Sequence, residues 1–111
     1  MIYADNSYIS IDDISITDNG YGAFFKQSSG SITNSVIDIN CAAVNTNGFK
    51  QTGSIKHTLV IDDNTLTTAE GAGITAYDQA RISASRNTIS GAEQGSGIAI
   101  RSSTADLYYN N

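Results

Sequence analysis

A chain of 111 residues is the length of one domain, 1–111, and its net charge of −5 with a pI near 4.4 argues against nucleic acid as a partner and against a polybasic membrane anchor. One cysteine and one histidine exclude an internal disulfide framework and a cysteine-based zinc site. No apolar run approaches the roughly 18 residues of a membrane span, and β-branched residues without a single proline read as sheet and not as disorder.

Along the chain, the opening MIYADNSYIS has no basic region and no long apolar run, so no signal peptide is visible in it. SIDDISIT from Ser10 alternates with the period of a strand, and GAFFK from Gly22 follows a polar turn. FKQSSGSITNSVIDI from Phe25 is nearly repeated as FKQTGSIKHTLVID from Phe49. SITNSVID from Ser31, VIDDNTLT from Val60 and SASRNTIS from Ser83 repeat the strand of Ser10. GITAY from Gly73 and GIAIR from Gly97 repeat GAFFK, and NGFKQ from Asn47 is placed between them. SIKHTLVI from Ser54 also aligns with SITNSVID, so residues 54–60 hold two competing registers.

Columns emerge from these matches. Phe25, Phe49, Ala76 and Ile100 recur at spacings of 24, 27 and 24, with Ile2 as the preceding member. Ile9, Ile32, Ile55, Ile82 and Leu107 form a second column, and Asn64, Asn87 and Asn110 a third, spaced by 23. A period of this length with two-residue alternation, and no helical stripe, predicts an all-β solenoid: a parallel β-helix of about 4–5 coils, roughly 24 residues per coil, with successive coils about 4.8 Å apart. Like residues then stack on their own images, Phe25 beneath Phe49, and the Asn column bonds amide to amide as stacked Asn does in cross-β structures. Asn-Gly at Asn19-Gly20 and Asn47-Gly48 also suits hairpins, so an antiparallel meander is the second fold, but hairpins need only about 8–12 residues per strand and turn.

The run of G-I-x-I, then I-x-x-x-x-N-T-I, then a Gly-rich turn resembles the right-handed parallel β-helix repeat of the pectin-lyase-like superfamily over nearly the whole chain. The resemblance implies the fold but no single activity, because that fold carries lyases, hydrolases, epimerases, tailspikes, adhesins and surface proteins. It also implies that the outer face of the strand holding Phe25 lies in a groove. The signatures expected of its lyases and epimerases, an Asp-rich calcium cluster facing a Lys or Arg base and a Tyr-Gly-Phe-Asp motif, are absent from the sequence.

With Ala23 and Phe25 inward, Phe24 and Lys26 point outward. The same register predicts an outer column of Lys26, Lys50, Tyr77 and Arg101, suited with Phe24 to an acidic polysaccharide: cations for carboxylates, rings for sugar faces. The plainer reading is a charged face that keeps the sheet soluble. Glu70 and Glu93 precede equivalent glycines and are a possible carboxylate pair for glycoside chemistry or a cation, against ordinary exposed turn acids. Asp18 holds a similar place. Asp12-Asp13 and Asp62-Asp63 read as turn residues bonding local backbone, His57 as an exposed turn residue and Cys41 as an inert, buried thiol. No metal ligand set and no cofactor is expected.

The leading expectation is a non-catalytic extracellular or surface β-helical module that contacts acidic carbohydrate. The alternatives are a fragment of a polysaccharide-active enzyme and a structural element stacked end to end. Open faces, with Ile98, Ile100 and Leu107 at one end and Ile2, Ile9 and Ile11 at the other, suggest that the chain is part of a longer protein or pairs with a second copy.

Overall fold

The alternation of apolar and polar residues in runs of three to five is long enough for a short strand and nothing more. The computed structural model describes residues 1–18, 20–48, 58–91 and 96–111. The first turn holds β1 (Ile2–Asp5), β2 (Tyr8–Asp12) and β3 (Ser15–Asp18), and the second holds β4 (Ala23–Lys26), β5 (Ser29–Thr33) and β6 (Val36–Ile39). The third holds β7 (Val44–Asn47), β8 (Leu59–Asp62) and β9 (Thr65–Thr68). β10 (Ile74–Tyr77), β11 (Arg81–Ser85) and β12 (Thr88–Ser90) make the fourth, and β13 (Ile98–Ile100) and β14 (Thr104–Tyr108) lie above them.

Each strand pairs in parallel with its equivalent one turn away. The first sheet runs β1-β4-β7-β10-β13, the second β2-β5-β8-β11-β14 and the third β3-β6-β9-β12. The architecture is therefore a parallel β-solenoid of about four turns, roughly 23 residues apart. Every pairing between described strands is parallel, which removes the antiparallel meander.

Left-handed residues bend the chain at described corners after first-sheet and second-sheet strands, singly except where Gln79 (φ 65°) follows Asp78. Asn6, Gln27, Asp78 and Ser102 follow first-sheet strands at φ of 48 to 54°, and Asp13, Asn34, Asp63, Arg86 and Tyr109 follow second-sheet strands at 50 to 55°. Asn and Asp reach this region at little cost, which accounts for their abundance at these corners. The residue after the bend turns inward and satisfies backbone groups of its neighbour. Ser28 Oγ accepts from the Ser7 N–H (3.1 Å) and donates to the Lys26 carbonyl (2.8 Å), and Ser35 does the same for Ile14 N–H and the Thr33 carbonyl. Above Ser35 the role passes to asparagine. Asn64 Nδ2 donates to Asn87 Oδ1 and Asn87 Nδ2 to Asn110 Oδ1, each at 2.9 Å, so the expected Asn ladder is present.

The strands of Ser10, Ser31, Val60 and Ser83 stack as their sequence similarity predicts. This places Val60 in register with Ser31 and resolves β8 as Leu59–Asp62. Two other columns differ from expectation. The inward column of the first sheet is Ala4, Phe25, Thr46, Ala76 and Ile100. Thr46, not Phe49, lies above Phe25, and Ile2 pairs with Ala23; Phe49 itself lies outside the described residues. The reason is volume. A fully buried Phe25 ring fills space left by small Ala4 and Thr46, where like stacking was expected to favour a second ring. The second-sheet column divides in two: Ile9, Gly30, Leu59, Ile82 and Ala105, and Ile11, Ile32, Ile61, Ala84 and Leu107. Ile55 lies outside the described residues. Gly30 belongs in this ladder because its φ is +124° and a Cβ there would meet the Ile9 carbonyl oxygen at 1.8 Å.

Apolar residues from all three sheets meet in one core, including Phe25, Ile32, Ile37, Ile61, Leu66, Ile74 and Ile82. In the uppermost strands Ile98 and Ile100 are half-buried and Leu107 is exposed. Ile11, expected at an open face, is instead buried within the core cluster.

Candidate functional site on the outer face of the first sheet

Alternation along β1, β4, β7, β10 and β13 sends two rows of side chains outward. One row reads Tyr3, Phe24, Asn45, Thr75 and Ala99. The other reads Asp5, Lys26, Asn47 and Tyr77, with Arg101 next, since Ile100 pairs with Ala76 and the Arg101 N–H donates to the Ala76 carbonyl at 2.8 Å. The expected column of Lys26, Lys50, Tyr77 and Arg101 is thus corrected at one place. Asn47 stands between Lys26 and Tyr77, and Lys50 lies outside the described residues.

The correction changes the electrostatics. Lys26 Nζ lies 3.3 Å from Asp5 Oδ2, so this row contains a neutralised pair where stacked like charges were expected. Asn47 Nδ2 donates to Asp78 Oδ2 at 3.3 Å. Among the described residues, Arg101 is the cation on this face that makes no ion pair.

The face is also more aromatic than expected. The Tyr3 and Phe24 rings stack with centroids 5.6 Å apart and planes within 9° of parallel. Together with Met1, Tyr21, Asn45 and Tyr77 they line a cleft of about 400 Å³. That is within the size range of small-molecule sites, which are mostly apolar with a few placed polar groups. Asn45 contributes such a group, and its Oδ1 is buried with no hydrogen-bond partner among the described residues. Tyr3, Tyr21 and Asn45 were missed in the sequence, because finding them requires the 21-residue step that joins β1 to β4, and the Phe25–Phe49 match suggests 24.

Of the other candidate residues, those within the described part of the chain do not join this face. Glu70 is exposed and its N–H donates to the Asn40 carbonyl at 2.8 Å; Glu93 and His57 lie outside the described residues, so the carboxylate pair does too. Cys41, expected to be buried, is a half-exposed free thiol, since its position follows β6 at the third corner and not within a strand. Asp18 ends β3 opposite Ile39. Of the two Asp pairs, Asp12, Asp62 and Asp63 bond to side chains one turn away where local backbone was expected. Asp12 Oδ1 accepts from Thr33 Oγ1 (2.7 Å) and Asn34 Nδ2 (2.8 Å). Arg86 spans Asp62 and Asp63, reaching Asp63 Oδ1 at 3.0 Å, and these carboxylates hold its guanidinium pKa above the ordinary value. Among the described residues no three His, Cys, Asp or Glu side chains gather as a metal site.

The bonds to Asp12 have a measurable consequence. First Thr33 and then Asn34 hold its carboxyl below the usual aspartate range. A folded pKa below the unfolded one contributes stability above the unfolded pKa, and that contribution is lost as pH falls through the folded value. Carboxyl-detected NMR titration should therefore show Asp12 titrating below a free aspartate, and Thr33→Val should move it upward. An unchanged Asp12 midpoint in that variant would remove Thr33 as the cause.

No curated protein and no solved structure matches the chain significantly. A family model described as a right-handed beta helix region matches residues 1–111. With three parallel sheets wound about one core, the chain belongs to the right-handed β-helix family.

Proposed function

We propose that the chain is a non-catalytic, extracellular or surface-associated module that binds carbohydrate on the outer face of its first sheet. The observation that carries this reading is the cleft in which the stacked Tyr3 and Phe24 rings meet Tyr21 and Tyr77. Pyranose rings present apolar C–H faces that lie on aromatic surfaces, while their hydroxyls need polar groups at the rim. Asp5, Lys26, Asn47 and Arg101 supply that rim on the adjacent row. With Lys26 held by Asp5, Arg101 is the residue that selects an acidic sugar, its guanidinium forming paired hydrogen bonds with a carboxylate.

Binding should be measured with short oligosaccharides built of neutral hexose, N-acetylhexosamine or hexuronate, at low and high salt. Phe24→Ala should weaken binding of whichever class binds by about tenfold or more, the loss of a ring stack and its buried area. Arg101→Ala should weaken hexuronate binding selectively and flatten its salt dependence. If no class binds wild-type protein at low salt, the carbohydrate reading falls. If a class binds but Phe24→Ala leaves it unchanged, the site lies elsewhere.

A further inference from the structure

We propose that Asn45 is the polar reader of the aromatic cleft, its side-chain amide accepting a hydrogen bond from a hydroxyl or N–H of the bound sugar. The inference rests on the carbohydrate reading and adds to it the group that orients the sugar.

The argument begins with satisfaction. Of the buried polar side chains, Ser28, Ser35, Asn64 and Asn87 bond to backbone or to one another across turns, and Thr68 donates to the Gly71 carbonyl. Asn45 Oδ1 is the exception among the described residues. A buried acceptor without a donor weakens the fold that contains it, so an isolated case calls for a cause. Asn45 is also poorly matched to its row by local preference, since asparagine is depleted in strands and β-branched residues favoured. Its neighbours in register are Phe24 and Thr75, and it shares the cleft with Tyr3, Tyr21 and Tyr77. The amide torsion of asparagine is broad. A half-turn would exchange Oδ1 and Nδ2 and so turn the acceptor toward a donor arriving between the rings. The ligand chemistry is therefore a hydrogen-bond donor on a stackable ring, which a hexose hydroxyl and an acetamido N–H both supply.

The test compares wild type with Asn45→Leu and Asn45→Thr on the same three oligosaccharide classes, beside thermal unfolding without sugar. Asn45→Leu should melt at or above the wild-type temperature, because it removes an unpaired polar group, and should lose about tenfold or more in affinity. Asn45→Thr, a good strand former that keeps an acceptor, should recover part of that loss. Recovery on hexose or on N-acetylhexosamine identifies which donor is read. If Asn45→Leu binds as wild type does while Phe24→Ala does not, the inference is overturned and the carbohydrate reading stands. If wild type binds none of the three classes, both fall. An Asn45→Leu protein that melts well below wild type would make the amide structural and would also overturn the proposal.

Discussion

Phe25→Ala is expected to cost about 3–5 kcal/mol, the range for truncating a core aromatic side chain. Phe25 has no exposed surface and stands between Ala4 and Thr46 in the inward column of the first sheet. Its neighbours Ala4 and Thr46 are too small to close over the space a missing ring leaves. Against a total stability of about 5–15 kcal/mol, such a loss is a large part of the whole. Urea unfolding measures it as a fall in the midpoint at unchanged slope. Phe24→Ala, one residue away on the outer face, serves as the control and should lose far less, since Phe24 is only partly buried. Equal losses in the two variants would contradict the assignment of Phe25 to the interior and Phe24 to the surface.

The second large effect is polar. Asn87 is almost completely buried, and its side chain is the middle member of the ladder. Its Oδ1 accepts from the Asn64 N–H (3.1 Å) and Asn64 Nδ2 (2.9 Å), while its Nδ2 donates to the Ile61 carbonyl and Asn110 Oδ1 (both 2.9 Å). Asn87→Ala leaves several of these groups without partners where water does not reach. At roughly 1–3 kcal/mol for each buried group stranded, a loss of about 3–5 kcal/mol is expected. Asn87→Leu discriminates the cause. It restores most of the volume but none of the bonds, so it should remain strongly destabilised. Asn110→Ala should cost less, because Asn110 is less buried; its Oδ1 accepts from the Asn87 N–H and Nδ2, and its Nδ2 makes a single bond, to the Ala84 carbonyl. An Asn87→Leu protein as stable as wild type would show that the column needs bulk and not hydrogen bonds.

The ladder and the strand pattern were legible in the sequence for a physical reason. Asn64, Asn87 and Asn110 each satisfy the turn beside them, so the same residue type is required at each step, and the requirement appears as a fixed spacing. The match of Ser31, Val60 and Ser83 is similar: alternation sets which residues face inward, and a slip by one would turn apolar side chains to water. From these the chain's own order of residues determined a parallel solenoid and its approximate repeat.

The register of the first sheet was decided only in three dimensions. Core packing asks for complementary volumes, and Phe25 between Ala4 and Thr46 meets that demand although neither neighbour resembles it. Sequence similarity therefore favoured Phe49 over Thr46, and with it Lys50 over Asn47. The spacing between strands added to the difficulty. Lys26 is followed by Ser29 at the start of the next strand, whereas the next described strand after Asn47 begins at Leu59. The outward rows inherit whatever register the interior adopts. The meeting of Tyr3 with Phe24, the pairing of Lys26 with Asp5 and the unpaired Asn45 carbonyl are accordingly products of tertiary packing, since each depends on residues one full turn apart being brought together by the core beneath them.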